Sequence, residues 1–171
     1  LHRARQLSRR FRYYLRMDVR AYFDCVSHDV LMERIAQKIA DPGVLWLCRT
    51  LLAGAQVPTV SPGERRGLPI GNLTSQFWAN CYMNPFDHFV QRELRCAGQR
   101  GGYLRYVDDF ALFADDKRTL WAWREALVER LARLRLTIHP GAHPRPVAEG
   151  MPFLGFVVYP SHRRLKRRKV V

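Results

Sequence analysis

The chain has 171 residues, 29 Lys and Arg against 15 Asp and Glu, a net charge of +14, and 47% hydrophobic residues. That apolar content excludes a disordered polycation, the length excludes two full domains of ordinary size, and the absence of any apolar run of about 18 residues excludes a membrane span. Six arginines and no acid lie in residues 1–16, six cations and no acid in residues 151–171, and 17 cations against 15 acids between them, so both flanks imply a polyanionic partner bound by counterion release.

Tyr13 to Val19 is aromatic and β-branched and predicts a strand. Asp29 to Ala40 carries Val30, Leu31, Ile35 and Ile39 at helical spacing, and Pro42-Gly43 separates it from a short apolar helix, Val44 to Leu52. Residues 54–67 predict a loop or hairpin turning at Ser61 to Glu64. Leu73 to Cys96 supports one long helix with a kink or break expected at Pro85. Tyr103 to Val107 and Phe110 to Phe113 predict a hairpin with Asp108 and Asp109 at its tip, and Asp116 caps a helix of Lys117 to Arg133. Phe153 to Tyr159 predicts a last strand before the run Arg163 to Lys169. Strands interleaved with helices around an antiparallel hairpin suggest an α+β layer.

Cys25, Cys48, Cys81 and Cys96 have no CxxC or zinc-like spacing, which fits reduced, buried thiols in a cytoplasmic protein. The chain starts at Leu1 without a charged-then-apolar leader, so the expectation is a piece of a longer protein.

An Asp-Asp pair alone is ordinary turn chemistry. Here Asp18 ends a second apolar strand, and carboxylates gathered at neighbouring strand ends would repel by about 4 kcal/mol per pair at 4 Å and an effective dielectric of 20. Such a cluster persists where a cation binds, and oxygen donors without His or Cys suit Mg²⁺ or Mn²⁺. Two ions about 4 Å apart can clamp an in-line phosphoryl displacement. Basic flanks with such a site point to nucleotidyl transfer or nucleic-acid hydrolysis.

Tyr106-Val107-Asp108-Asp109 resembles the YxDD box of reverse transcriptases. Arg16 to Phe23 resembles the preceding metal-binding segment, Gly67 to Gln76 the template and nucleotide segment between them, and Phe153-Leu154-Gly155-Phe156 the FLG box. All four stand in the family's order. The resemblance implies the palm of a right-hand polymerase over residues 13–160, with residues 1–12 as a basic end of the fingers and 161–171 leading toward the thumb. Fingers and thumb are otherwise mostly absent, so weak processive synthesis is expected of these residues alone.

Residue by residue, the resemblance implies Asp18 and Asp108 as ligands of two Mg²⁺ ions, or Mn²⁺, with Asp109 a further carboxylate and the Val19 carbonyl a backbone ligand. Phe23 matches the steric gate that selects deoxynucleotides; Ile70, Gly71 and Gln76 would contact the nucleotide. Tyr106, Leu68, Pro69, Arg163, Arg164, Lys166 and Arg167 would contact primer and template. The implied partners are an RNA template, a DNA primer and its cDNA, and dNTPs, with a basic accessory protein as a further candidate. Ile70 stands where many relatives have Gln and cannot hydrogen-bond a nucleotide. With Gly71, Ser75 and Gln76, it resembles the error-prone enzymes of diversity-generating retroelements; retron, group II intron-like and defence-associated enzymes are the alternatives.

Leu134 to Glu149 contains no lysine where the family usually offers a proton donor. His139 and His143 are candidate substitutes, and uninvolved loop histidines are the alternative. A non-catalytic polymerase-like module is a competing reading, disfavoured by the three retained acids. A nuclease would not account for Phe23 or Gly67 to Gln76.

Overall fold

The computed structural model describes residues 1–54, 65–69, 71–94 and 100–166. The chain divides into two units, one of residues 1–18, 90–127 and 139–171 and one of residues 19–89 and 128–138.

The first unit opens with helix α1 (His2–Arg10), which buries Ala4 and Leu7 and leaves Arg3, Arg9 and Arg10 exposed. Strand β1 (Tyr13–Asp18) then enters an antiparallel sheet of order β2-β3-β1-β4, with β2 (Gly102–Tyr106), β3 (Asp109–Ala114) and β4 (Arg145–Pro146). Side chains alternate between the two faces. Tyr14, Ala111 and Phe113 join Ala4, Leu7 and Phe11 in one apolar cluster, while Leu15, Met17, Phe110 and Leu112 point the other way and are buried too. Burial on both faces explains why β1 and β3 read as apolar runs. Where α1 packs on β2, a Cβ at Gly102 would lie 2.6 Å from Leu7 Cδ2, so a side chain there would have to displace Leu7.

Helix α6 (Lys117–Ala132) starts as expected. Asp116 Oδ1 accepts the Thr119 N–H and Oδ2 the Thr119 hydroxyl, both at 2.7 Å, and Leu120, Trp123, Leu127 and Leu131 are buried. The expected last strand is instead a hairpin of β5 (Met151–Phe153) and β6 (Phe156–Val158), extended by β7 (Arg163–Leu165) in the basic run. Leu154 at φ 49° and Gly155 at φ 78° form its two-residue turn. Positive φ at both central positions is the requirement of a type I′ turn, which suits the strand twist.

The second unit contains α2 (Tyr22–Cys25), α3 (His28–Ala36), α4 (Pro42–Ala53), α5 (Leu73–Phe89) and the end of α6. Helix α3 stops at Ala36, short of the expected Ala40; Asp41 then caps α4 by accepting the Val44 N–H at 2.9 Å, with Pro42 in its first turn. Helix α5 runs through Pro85 as one element and passes into a π-helical turn, Val90–Leu94. An interior proline costs about 3 kcal/mol, and burial of Trp78, Tyr82, Met83, Phe86 and Val90, at about 1.5–3 kcal/mol each, outweighs it. The predicted turn at Ser61 to Glu64, and Cys96, lie outside the described residues. Among the described residues no helix is long and apolar enough to cross a membrane.

Candidate functional site

Strand β1 ends with Asp18 directly opposite Asp109 of β3. In the β2–β3 hairpin Tyr106 pairs with Asp109, so Val107 and Asp108 form the turn and Asp109 already belongs to the strand. The consecutive acids are thus held differently, one at a hairpin tip and one in a ladder. Val107 sits at φ 58°, a conformation unfavourable for a β-branched residue. Arg105 Nη1 donates to the Val107 carbonyl at 2.8 Å, and Tyr106 is 57% exposed beside the turn.

Arg16, two residues before Asp18 and therefore on the same sheet face, clamps Asp109. Its Nε donates to Oδ1 at 2.8 Å and its Nη2 to Oδ2 at 2.9 Å, the planar two-bond match that makes guanidinium–carboxylate pairs strong. Burial lifts the Asp109 carboxyl above its ordinary range despite Arg16, with the charges of Asp18 and Asp108 adding to it. Burial, then the charge of Asp108, lifts Asp18 likewise, while Arg16 and His139 pull it down. The His139 N–H donates to the Asp18 carbonyl at 3.0 Å, and its Nε2 lies 3.9 Å from Asp18 Oδ2.

Among the described residues no group of three or more His, Cys, Asp or Glu side chains is arranged to hold a metal ion. Asp109 is turned to Arg16, which leaves Asp18 and Asp108 as a repelling pair of carboxylates. Such oxygen donors fit a hard divalent cation, and a cation would relieve their repulsion.

The second unit brings together two of the predicted segments. The Leu68 N–H donates to the Phe23 carbonyl at 2.8 Å, the Gly67 N–H to the Val26 carbonyl at 2.9 Å, and the His28 N–H to the Arg65 carbonyl at 2.9 Å. His28 is buried, and its Nε2 lies 2.7 Å from the Gly67 carbonyl. Ala21 at φ 45° turns the chain from Val19 into α2. There the Tyr22 hydroxyl donates to the Ala79 carbonyl at 2.6 Å, and half-buried Phe23 stands edge-on to the Tyr22 ring. Leu68 is buried, its side chain 2% exposed, and Pro69 is half-buried. Gly71 has φ 97° with open space where a Cβ would stand, so its backbone conformation calls for glycine. Gln76 is exposed on α5, as are Arg163, Arg164 and Lys166 on and after β7. Val19 is buried and offers only its backbone. Ile70 and Arg167 lie outside the described residues.

Sequence pattern does not single out Arg16 or His28. The available signal for Arg16 was its i, i+2 spacing to Asp18 in a strand; for His28 there was none, because its acceptor is a backbone carbonyl 39 residues away.

An α+β layer with carboxylates at the ends of adjacent antiparallel strands fits the polymerase palm that the sequence motifs imply. The profile of the family described as reverse transcriptase (RNA-dependent DNA polymerase) matches residues 2–158, and the chain belongs to that family. Protein YkfC of Escherichia coli (strain K12) is 27% identical over 191 residues, covering 93% of this chain and 48% of that protein. An uncharacterized 91 kDa protein in cob intron of Schizosaccharomyces pombe is 30% identical over 80 residues, covering 46% of this chain and 10% of that protein. Apo telomerase from Candida tropicalis shares the fold with a TM-score of 0.68 at 12% identity, over 94% of this chain and 34% of that one. Telomerase from the same organism in complex with a TWJ fragment of telomeric RNA gives 0.68 at 14% identity, over 93% and 30%. The chain thus spans about half of YkfC and about a third of these telomerase chains.

Proposed function

We propose that this chain is the palm, over residues 13–160, of an RNA-directed DNA polymerase that joins dNTPs to a primer 3′-hydroxyl on an RNA template. The observation that carries the reading is the strand register that sets Asp18 against Asp109 with Asp108 at the adjoining hairpin tip, in a chain of the reverse transcriptase family. Asp18 and Asp108 would hold two Mg²⁺ ions, or Mn²⁺, joined by the Val19 carbonyl. Bound there, the ions supply Lewis-acid stabilisation of the attacking and leaving oxygens. Asp109 keeps its place through Arg16. Phe23 fills the space a ribose 2′-hydroxyl would need, Gly71 and Gln76 line the nucleotide, and Tyr106, Pro69 and the cations Arg163, Arg164 and Lys166 face primer and template phosphates.

The finer assignment, error-prone cDNA synthesis for a diversity-generating retroelement, is supported by apolar Ile70 followed by Gly71, Ser75 and Gln76. The second reading, an intron-associated enzyme, is supported by the relative whose name places it in the cob intron. Primer extension on RNA and DNA templates tests the activity. Asp108→Asn should slow RNA-templated extension at least on the order of 10²-fold, since several kcal/mol of charge stabilisation are removed; undiminished extension overturns the site. Error spectra of the native enzyme and Ile70→Gln test the subclass, which fails if the two are identical.

A further inference from the structure

His28 is the first residue of α3, is only 5% exposed, and has no part in the chemistry proposed above. Its Nε2 lies 2.7 Å from the Gly67 carbonyl. A carbonyl only accepts, so that nitrogen carries a proton whatever the charge of the ring. The bond closes a seam between residues 23–28 and 65–68. Backbone bonds supply the rest of the seam: the His28 N–H to the Arg65 carbonyl and the Gly67 N–H to the Val26 carbonyl, each at 2.9 Å, and the Leu68 N–H to the Phe23 carbonyl at 2.8 Å.

The Gly67 C=O and the Leu68 N–H belong to one peptide plane. His28 holds the oxygen of that plane, and Phe23 accepts from its N–H. Gly67, at φ 103°, is where such a plane turns most freely, because no Cβ resists the rotation. A turned plane would carry the Leu68 N–H off the Phe23 carbonyl, and with His28 and Leu68 both buried water is poorly placed to replace either bond. Beyond the plane little freedom remains: Leu68 is restricted by the proline that follows it, and the ring of Pro69 fixes its own φ. The chain then enters residues 69–71, assigned above to template and nucleotide. Helix α2 is anchored separately, through the Tyr22 hydroxyl and the Ala79 carbonyl at 2.6 Å, so the plane that His28 holds is the adjustable part of the seam.

We infer that His28 is a positioning residue for sugar selection: by pinning the Gly67–Leu68 peptide it sets the spacing between Phe23 and residues 69–71, and with it the room left at the sugar of an incoming nucleotide. The inference rests on the nucleotidyl-transfer reading above, with Phe23 as the gate. His28 acts through the Phe23 backbone and touches no substrate itself.

Primer extension on an RNA template with dNTPs and, separately, with rNTPs measures sugar discrimination as the ratio of the two kcat/KM values. His28→Leu, which fills the space without a donor, should lower that ratio about tenfold, the weight of one buried hydrogen bond. His28→Gln, whose amide N–H can stand where Nε2 does, should keep the ratio within about threefold of native. If His28→Leu does not fold, His28→Asn, whose amide falls one carbon short of the carbonyl, takes its place. In a Phe23→Ala background, where the ring is already gone, the donorless variant should change the ratio no further. The inference is overturned if the donorless variant keeps the native ratio, if His28→Gln loses as much, or if the loss is as large in Phe23→Ala as in the native protein. A fall in dNTP and rNTP incorporation by one common factor leaves the ratio unchanged and so counts against it. A native protein without templated extension overturns the polymerase reading and this role with it; extension with an unchanged ratio in the donorless variant keeps the polymerase and loses only the role of His28.

Discussion

Replacing Arg16 by glutamine removes both hydrogen bonds to Asp109 and leaves that carboxylate facing Asp18 and Asp108 with no counter-charge. Breaking a fully buried pair from one side costs about 3–5 kcal/mol, whereas an exposed pair is worth about 0–1 kcal/mol. The side chains here are 38% and 14% exposed for Arg16 and Asp109, so solvent screens the cation more than the acid, and the expected loss lies between the limits, at about 2 kcal/mol. At this chain length that lowers Tm by about 4–8 °C. The double variant Arg16→Gln/Asp109→Asn should recover about half of the loss, because a neutral amide no longer repels its neighbours. Added Mg²⁺ should stabilise Arg16→Gln more than the native protein, since the freed carboxylate becomes a third oxygen donor. Thermal and urea unfolding with and without Mg²⁺ measure all three quantities. The reasoning is refuted if Arg16→Gln lies within about 0.5 kcal/mol of native, the spread of an ordinary surface substitution, or if the double variant is no more stable than the single one.

Asp116→Ala should lose about 1 kcal/mol by removing the cap of α6. Its hydrogen bonds to Thr119 hold the Asp116 carboxyl below its ordinary value, so the stabilisation is present above the unfolded value and is lost as pH falls through the folded one; the Tm gap between native and variant should close in acid. Tyr82 donates its hydroxyl to the Leu134 carbonyl at 2.6 Å, and burial pushes its pKa up to about 12. This raised value means stability that is complete below pH 10 and is lost as pH rises toward 12. Tyr82→Phe should cost about 1 kcal/mol at neutral pH and flatten that alkaline limb in pH-dependent denaturation. Val107→Asn should stabilise by about 1 kcal/mol in urea titration, because asparagine tolerates the left-handed conformation that valine resists; a loss of stability would show that the valine side chain packs well enough to outweigh the strain.

The parts of the fold legible in the sequence are those governed by local pattern. Tyr13 to Val19 and Phe110 to Phe113 announce themselves as strands because both faces are covered and most positions are apolar, while the place of Asp109 in the second strand is not legible. Asp116 announces α6 because a cap acts within one turn. The misread segments were decided by distant contacts. Phe153 to Tyr159 looks like one strand until Gly155 is recognised as the second residue of a turn that also forces Leu154 into positive φ. Leu73 to Cys96 is legible as a long helix, and of the kink or break expected at Pro85 the break does not occur, because the apolar side chains around it keep α5 continuous. The burial of Leu68 is likewise set at a distance, by the Phe23 carbonyl that accepts its N–H. Arg16 could be seen as the cation of β1, whereas its partner lies 93 residues further on and is fixed only by strand register.

The same register explains how two adjacent aspartates acquire different duties. Successive side chains in a strand point to opposite faces, so a regular strand through Asp108 and Asp109 could not present both carboxylates to one ion. The hairpin resolves this by placing Asp108 in the turn and Asp109 in the ladder opposite Asp18, with Val107 in a strained conformation between Tyr106 and the acids. Arg16 then neutralises the ladder acid, which lowers the repulsion that three carboxylates would otherwise direct at one another. What remains unneutralised is the Asp18 and Asp108 pair, and on the proposed reading that residual repulsion is the affinity for divalent metal. On the same reading, a sequence that kept the three acids but lost Arg16 would free Asp109 as a further oxygen donor and fold less stably.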